Sequence, residues 1–375
     1  MAKKTNSTKR VLKKKSARKN STDLKIKAVD LFCGAGGLTL GLEKAGISVT
    51  MGIDIDPACK YPFEANNKAK FLKKSVEDIK NPELAKAYGD AEITLLAGCA
   101  PCQPFSTYSQ GKADEQDERW NLLLQFGRMV RQSRPHLVTM ENVPMLAHQK
   151  VFGTFVKSLK SCGYFVSHQI VNCADYGVPQ QRNRLVLLAS RLGPVSLIPP
   201  TTPTEKHKTV RSVISKLPNL SAGQEDAKDP LHQASDLSPL NLNRIRASKP
   251  GGTWRDWPDE LVADCHKKES GKTYPSVYGR MRWDEPAPTI TTQFFGFGNG
   301  RFGHPEQDRA ISLREGAIIQ SFPKSYKFSA KGAPIHRKTI GRLIGNAVPV
   351  KLGEAIGKSF VSHLKTLDDV QAIRA

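Results

Sequence analysis

Residues 26–37 read IKAVDLFCGAGG, and this stretch decides the fold. Its first half, residues 26–32, is mostly apolar, which predicts a buried strand. The glycine-rich second half predicts a tight turn, residues 38–45 follow with helical spacing, and Gly46 is a typical helix terminator. Because a strand, a glycine turn and a helix N-terminus together cradle nucleotide-like ligands, this stretch predicts a cofactor site.

The next segment indicates which part of such a ligand is held. Residues 34–39 read GAGGLT and lack the Gly-x-Gly-x-x-Gly spacing of NAD-binding turns. A second predicted strand, residues 48–53, ends at Asp54, and a carboxylate at this point can accept hydrogen bonds from a ribose diol. Asp56 is better suited to capping the helix that starts near Pro57.

Further apolar runs alternate with a helical segment along the first half of the chain. This alternation predicts an α/β fold, with a Rossmann-like, mostly parallel sheet that has helices on both faces. The predicted strands are residues 93–97, 135–140, 166–172 and 185–189, and the predicted helix is residues 120–131.

The sequence AGCAPCQPFS at residues 97–106 follows one of these strands directly. Its glycine and two prolines predict a stiff loop at the carboxyl end of the strand, where α/β sheets bind ligands. A thiol in that place, Cys102, is a candidate nucleophile. The alternatives are a small buried hydrophobic residue, or a redox or zinc pair with Cys99. The loop is too polar for the first, and no second cysteine pair with matching spacing supports the others.

Two later strand ends also carry candidate site residues. Glu141 leaves a buried strand for a proline-containing loop, where a partly desolvated carboxyl is suited to donating a proton to a base nitrogen. Arg182 and Arg184 are two residues apart on an extended segment and should point the same way. For Arg182, a structural salt bridge is an equal alternative to a role in the site.

The composition indicates a polyanionic partner. The 375 residues carry a formal net charge of +22, which favours nucleic acid, although ribosomal and membrane-surface proteins share this trait. Seven cysteines without a pairing pattern indicate a reducing, cytoplasmic environment, and we expect no membrane association. Residues 1–25 predict a disordered basic tail, either a solvated arm or one that adds weak DNA affinity.

The character of the sequence changes after residue 190. Residues 191–305 are proline-rich with little periodicity and predict a smaller, mixed domain inserted between residues 26–190 and residues 306–375. Within it, residues 289–292 predict a strand, and the glycine-rich residues 293–301 predict a loop that could reach base edges. The alternative for this loop is a hairpin turn with its phenylalanines in the core.

Residues 306–375 return towards the first part of the chain. Residues 312–322 predict a helix that ends before a proline, and residues 345–350 are predicted to open the last helix.

The stretch around Cys102 resembles the catalytic loop of the DNA (cytosine-5)-methyltransferases, and further family motifs follow in family order from about Ala28 to about Gly357. The resemblance implies that S-adenosyl-L-methionine donates a methyl group to carbon 5 of a flipped-out cytosine and leaves as S-adenosyl-L-homocysteine. It further implies a covalent adduct with Cys102. Residues 191–305 would be the target-recognition domain, and residues 111–119 a loop that closes over DNA or, alternatively, an ordinary surface loop.

The resemblance also implies a set of site residues and no metal. The catalytic residues would be Cys102, Glu141 and Arg184. The cofactor-binding residues would be Phe32, Gly34, Gly36, Gly37, Asp54, Ile55, Asp78, Pro101, Leu122, Asn346 and Val348. The DNA-binding residues would be Gln103, Ser106, Arg119, Arg182, Thr291 and Arg301.

The implied partner is double-stranded DNA, bound by a monomer of the nucleoid-associated cytosol, with a cognate restriction endonuclease acting separately. Two alternatives remain at this point. One is a transfer RNA cytosine-5 methyltransferase, and the other is a catalytically silent DNA-binding relative.

Overall fold

The computed structural model describes residues 25–101 and 119–373. Within these ranges, one sheet occupies the centre of the fold, and a separate two-stranded ribbon lies later in the chain. The strands of the central sheet are β1 (Ile26–Leu31), β2 (Ser48–Asp54), β3 (Lys70–Lys73), β4 (Ile93–Gly98), β5 (Leu137–Asn142), β6 (Phe165–Asn172) and β7 (Asn183–Ser190), and the ribbon consists of β8 (Glu225–Asp226) and β9 (Asp229–Gln233).

The central sheet has the strand order β3-β2-β1-β4-β5-β7-β6. Strand β7 runs antiparallel to both of its neighbours, and the other pairings are parallel. The order of the strands across the sheet reverses between β1 and β4, because β2 follows β1 on one side and β5 follows β4 on the other. This reversal creates the crevice at which open α/β sheets bind ligands. The predicted α/β class and mostly parallel sheet are therefore confirmed.

Helices cover both faces of this sheet and extend into the later part of the chain. They are α1 (Gly37–Lys44), α2 (Lys60–Glu64), α3 (Asn81–Tyr88), α4 (Arg119–Ser133), α5 (Lys150–Ser161), α6 (Val210–Ile214), α7 (Pro239–Ala247), α8 (Asp264–Lys267), α9 (Leu313–Ile319), α10 (Arg337–Asn346) and α11 (Val350–Ile373). Among the described helices, none is both long and apolar enough to cross a membrane.

The two faces of the sheet are closed by different helices. On one face, α1 and α11 contribute the fully buried Leu42 and Phe360. On the other face, α3, α4 and α5 contribute Leu84, Phe126 and Phe155. Burial of each such side chain stabilises the fold by about 1.5–3 kcal/mol. Helix α11 comes from the carboxyl end of the chain, so both ends of the described chain complete the same core.

Local signals in the sequence account for the end of α1 and for the turn that follows β2. Gly46 ends the first helix with φ +91°, and its N–H donates to the Glu43 carbonyl. Asp56 accepts a hydrogen bond from the Ala58 N–H at 2.9 Å and caps the short 3-10 turn that begins at Pro57. Both predictions are confirmed.

A third hydrophobic cluster lies outside the central sheet. It gathers α6, α9 and α10 around the fully buried Phe294. Trp254 and Trp257 form a smaller cluster with Ile245. Regular structure is sparse here, which agrees with a mixed region. The third cluster also includes residues 311–347, so the core of this region draws on both sides of the predicted boundary at residue 305. The domain boundaries themselves stay predictions.

Two element predictions in this region are wrong. Residues 289–292 do not form a strand, because side chains of residues 180–182 replace the backbone partners of a ladder. Residues 345–350 do not open the last helix. Instead, Gly345 and Asn346 end α10, and α11 begins at Val350. In the glycine-rich loop, Phe294 and Phe297 are buried, as the core alternative predicted, although no hairpin flanks them.

The crossing of α1 and α11 provides a test of this packing. A Cβ at Gly41 would lie 2.6 Å from the backbone of Gly353, whereas a Cβ at Gly153 in α5 would meet nothing within 4 Å. Gly41→Ala should therefore lower the free energy of unfolding by about 1–3 kcal/mol through overpacking. Gly153→Ala should raise it by about 0.5–1 kcal/mol through backbone entropy. Urea denaturation followed by circular dichroism measures both, and shifts of the same sign would contradict the packing described.

Candidate active site

The carboxyl edge of the sheet places Glu141 next to the loop that leads to Cys102. Strands β4 and β5 are parallel and in register, with Gly98 opposite Met140. The next residues of the two strands, Cys99 and Glu141, are therefore neighbours. The acid predicted from the sequence thus lies at the edge where α/β sheets bind ligands.

Arg184 reaches the same carboxyl from β7. Glu141 lies opposite Val186 in the antiparallel β5–β7 ladder. Side chains alternate between the two faces of a sheet, so Arg184, two residues before Val186, projects on the face of Glu141. Its Nε lies 2.9 Å from Oε1 of Glu141. The structure therefore brings together Glu141 and Arg184, which the sequence predicts to be catalytic.

The carboxyl of Glu141 is buried, with 3% of the residue exposed, and its two oxygens differ in their bonding. The thiol of Cys99 donates a hydrogen bond to Oε2, with 3.0 Å between sulfur and oxygen. Arg184 provides a positive charge beside Oε1, but no donor of the described residues directs a hydrogen at this oxygen. Since a carboxylate has about four acceptor positions, Oε1 can accept a hydrogen bond from a ligand.

The loop after β4 is anchored before it reaches Cys102. Asn142 donates from Nδ2 to the Ala100 carbonyl at 3.0 Å. The backbone N–H of Cys99 donates to the Leu31 carbonyl at 3.3 Å. These bonds fix the start of the loop against the ends of β5 and β1.

Several predicted site residues lie outside the described part of the chain. The loop is described as far as Pro101, and α4 is described from its first residue without the first two side chains. The residues concerned are Cys102, Gln103, Ser106 and the side chain of Arg119, together with residues 111–118 of the predicted closing loop.

The glycine turn after β1 presents open backbone at the same edge. Gly34 has φ +53°, and a Cβ there would meet nothing within 4 Å. Its N–H donates to Oδ2 of Asp54 at 3.0 Å, so the turn and the acid at the end of β2 form one unit. Burial raises the pKa of Asp54, although N–H donors from Asp56 and Gly34 partly offset this. A nucleoside can therefore approach the Gly34 backbone and the Asp54 carboxyl without displacing a side chain.

The next two glycines are required by packing. A Cβ at Gly36 would lie 2.5 Å from Nδ2 of Asn67, and a Cβ at Gly37 would lie 2.2 Å from the Val348 carbonyl oxygen. The contact with Val348 shows that the segment between α10 and α11 folds back onto the glycine turn.

The other predicted cofactor residues differ in exposure. Ile55 is 68% exposed, although it is a large apolar side chain. Such exposure at the end of β2 is consistent with a side chain that a ligand covers. The remaining residues are exposed (Asp78, Pro101 and Asn346), half-buried (Phe32, which has φ +57°, and Leu122) or buried (Val348).

Arg182 forms a structural cross-link, and its contact with DNA stays a prediction. The residue is 3% exposed, and its guanidinium donates to the carbonyls of Ile290 at 2.9 Å and Gly345 at 3.1 Å. Burial, followed by the positive charge of Arg184, lowers its pKa. Its partners are carbonyls, so the salt bridge considered as the alternative is not what the structure contains. DNA cannot reach the guanidinium without opening these contacts.

Two glutamines continue this cross-link. Gln180 accepts the Ile290 N–H at 2.8 Å and donates to Oε1 of Gln320 at 2.7 Å. Gln320 in turn donates to the Ile344 carbonyl at 2.8 Å. The cluster of Gln180, Arg182 and Gln320 therefore joins the start of β7 to α9, α10 and the segment around Ile290.

Thr291 and Arg301 remain predicted DNA contacts. Thr291 is half-buried, and its carbonyl packs against Gly345. Arg301 donates to the Gly252 carbonyl at 2.8 Å, and burial, followed by the charge of Arg282, lowers its pKa. Both residues lie on irregular backbone of the smaller region.

Sequence reasoning missed two parts of the site. The contact of Cys99 with Glu141 depends on the register between β4 and β5, which the sequence alone did not show. The Gln180–Gln320 pair had no local signal, because its members are 140 residues apart. Among the described residues, no cluster of three or more potential ligands could hold a metal ion.

Comparisons with known proteins agree with this geometry. A family model described as C-5 cytosine-specific DNA methylase matches residues 26–362. Type II methylase M.HgiDII of Herpetosiphon aurantiacus is 52% identical over 349 residues, which cover 92% of this chain and 98% of that protein. Type II methyltransferase M1.BsuMI of Bacillus subtilis (strain 168) is 34% identical over 346 residues, which cover 87% of this chain and 78% of that protein.

A solved structure shares the fold. The Entamoeba histolytica methyltransferase EhMeth matches with a TM-score of 0.60 and 17% identity, over 91% of this chain and 99% of that one. Together, the Rossmann-like sheet, the glycine turn and the buried acid define an α/β enzyme of the methyltransferase class. More specifically, the chain belongs to the C-5 cytosine-specific DNA methylase family and is a DNA cytosine-5 methyltransferase of the restriction–modification type.

The role of Arg182 can be tested by separating stability from DNA affinity. Arg182→Gln should lower the free energy of unfolding by about 1–3 kcal/mol, because two buried carbonyls lose a donor. The slope of log DNA affinity against log salt should stay unchanged, whereas loss of a phosphate contact would reduce it by about 1. Arg211→Gln is the stability control, because its pair with Asp284 is exposed on the surface. A reduced salt slope with unchanged stability would confirm the DNA-contact prediction.

Proposed function

We propose that the enzyme uses S-adenosyl-L-methionine to methylate carbon 5 of a cytosine flipped out of duplex DNA, through a covalent adduct with Cys102. The observation that carries this proposal is the Glu141 carboxyl. It is buried at the carboxyl edge of the sheet beside Arg184, and Oε1 has no directed hydrogen bond from the described residues. The exocyclic amino group or protonated ring nitrogen of a cytosine would supply the donor that this oxygen lacks.

Duplex DNA is the substrate that fits best. The target atoms of a cytosine are inaccessible inside the base stack of a duplex. Because Glu141 is buried, the base must leave the stack to reach it. The net charge of +22 favours a polyanion, and residues 191–305 supply a region large enough to read a duplex. We expect the enzyme to act as a monomer on cellular DNA in the cytosol, with any cognate restriction endonuclease acting separately.

The chemistry requires carbon 5 of cytosine to become nucleophilic. In the proposed mechanism, the Cys102 thiolate forms a bond to carbon 6, and the ring electrons shift towards carbon 5 and the N3 nitrogen. Glu141 delivers a proton to N3, and Arg184 binds the O2 carbonyl while its charge holds the Glu141 carboxyl in place. The same charge favours the thiolate of Cys102, which the chain reaches one residue after Pro101.

Release reverses the addition. Once carbon 5 carries the methyl group, its proton leaves to solvent, the carbon 5–carbon 6 double bond re-forms and the sulfur–carbon bond breaks. The N3 proton returns to Glu141, so the enzyme is regenerated.

The glycine turn fits the proposed cofactor. S-adenosyl-L-methionine, when bound, supplies an electrophilic sulfonium methyl group. The open backbone of Gly34 and the carboxyl of Asp54 would hold its nucleoside part, with Ile55 against the adenine and Asp78 at the adenine amino group. The rest of the cofactor site would be lined by Phe32, Pro101, Leu122, Asn346 and Val348.

Covalent trapping tests the catalytic proposal. The target sequence is first found by bisulfite sequencing of DNA from cells that express the enzyme. A duplex with 5-fluorocytosine at the target should then form a denaturant-resistant complex with the wild type, because fluorine cannot leave carbon 5 as the proton does. Cys102→Ala should form none, and Cys162→Ala, a half-buried thiol on the far end of α5, should behave as wild type.

Three results would contradict the proposed function. They are a trapped complex with Cys102→Ala, turnover of Cys102→Ser near that of the wild type, and trapping on a transfer RNA probe in preference to the duplex. The last result would favour the RNA alternative while keeping the same chemistry.

Cofactor binding is tested by two neighbouring acids. Asp54→Asn should weaken binding of S-adenosyl-L-methionine roughly 10- to 100-fold, because a charged acceptor of the ribose hydroxyls is lost. Asp56→Asn is the matched control, since Asp56 caps a turn and pairs with Arg342 at 2.6 Å. Isothermal titration calorimetry measures both affinities. Equal affinities in the two variants would contradict the assignment of Asp54.

A further inference from the structure

The carboxyl of Glu141 has one directed hydrogen bond from the described residues, and its donor is a thiol. The sulfur of Cys99 lies 3.0 Å from Oε2. Arg184 is as close to Oε1, yet its N–H does not point at that oxygen. Charge attraction alone leaves a carboxyl able to rotate about its last bond, whereas a directed donor on one oxygen fixes the plane of the group.

The backbone around Cys99 is held tightly enough to make this donor a fixed point. Its N–H bonds to the Leu31 carbonyl at 3.3 Å, and the next carbonyl, of Ala100, accepts from Asn142 at 3.0 Å. Gly98 before it is also confined, because a Cβ there would lie 3.0 Å from the Leu31 carbonyl oxygen. The thiol is therefore placed by β1, β4 and β5 together, and Glu141 belongs to the last of these strands.

We propose that Cys99 is a positioning residue for the reaction, which holds Oε2 of Glu141 so that Oε1 faces the target cytosine. This inference rests on the proposed function, because it assigns Cys99 a role in presenting the acid that acts on the base. Cys99 itself forms no bond to substrate. Its thiol keeps its proton and donates it in a hydrogen bond, so no electrons are transferred.

A pair of substitutions separates the donor from the volume of the side chain. Cys99→Ala removes the donor, and kcat should fall roughly 10- to 100-fold, the usual effect of losing a hydrogen bond to a charged catalytic group. KM for DNA and cofactor affinity should stay unchanged, because binding does not use the thiol. Cys99→Ser keeps a donor within reach and should restore kcat to near the wild-type value. Cys162→Ala controls for the loss of a half-buried thiol elsewhere.

An infrared measurement tests the hydrogen bond between Cys99 and Glu141 without an activity assay. The S–H stretching band of Cys99 is obtained by subtracting the spectrum of Cys99→Ser from that of the wild type. A carboxylate acceptor lowers the frequency of this band, so Glu141→Gln should shift it upwards. A band that does not move would overturn the contact. This readout is independent of the catalytic proposal, which trapping on 5-fluorocytosine DNA tests separately.

The kinetic outcomes are equally decisive. Unchanged kcat in Cys99→Ala overturns the inference, and so does a Cys99→Ser variant that folds but is as slow as Cys99→Ala. A rise in KM with unchanged kcat would place Cys99 in binding and would also overturn it. Circular dichroism of each variant confirms folding before the kinetics are compared.

Discussion

The register between β4 and β5 is the constraint on which the site depends. With Gly98 opposite Met140, β4 ends two residues before β5 does, and Cys99 lies beside Glu141. A shift of one residue would turn every side chain of β5 to the opposite face and remove Glu141 from the edge. The pairing is fixed because both strands are buried between two hydrophobic clusters, where a slip would expose apolar side chains. Core packing and site geometry are thus set by the same hydrogen-bond ladder.

A second constraint ties the smaller region to this edge. The cluster of Gln180, Arg182 and Gln320 uses buried side-chain donors to satisfy carbonyls and N–H groups of irregular backbone. Buried polar groups of this kind are costly when they are unpaired, so the bonds that the cluster makes favour one arrangement of the segments it joins, although Nε of Arg182 has no partner among the described residues. Because Arg184 follows Arg182 by two residues, the part of the chain that faces the base is continuous with the part that holds the smaller region.

Local sequence signals predicted the central sheet well. Strands that are buried on both faces need continuous apolar runs, and those at residues 93–97 and 185–189 correspond to strands in the structure. The error at residues 289–292 has a physical cause. The backbone of a β-branched segment can form its hydrogen bonds with side chains instead of with a neighbouring strand, and the sequence does not show which of the two partners it has. Helix α10 was missed although Ile340, Leu343 and Ile344 have helical spacing.

The site was predictable where chemistry depends on residue type at a strand end, as for Glu141 and Arg184. It was not predictable for Arg182. The pattern of the segment indicated the side on which this residue projects, but only contacts with Ile290 and Gly345, 108 and 163 residues away, decide that the side is buried. Cys99 was considered only as a partner for Cys102, although the strand register gives it Glu141 instead.

The most direct test of the central claim is a crystal structure of the enzyme covalently trapped on a duplex that carries 5-fluorocytosine at its target. The account predicts that the cytosine lies outside the helix, with its sulfur bond at Cys102 and its N3 edge within about 2.6–3.2 Å of the Glu141 carboxyl. A target base that remains stacked, or one that binds away from Glu141, would contradict it.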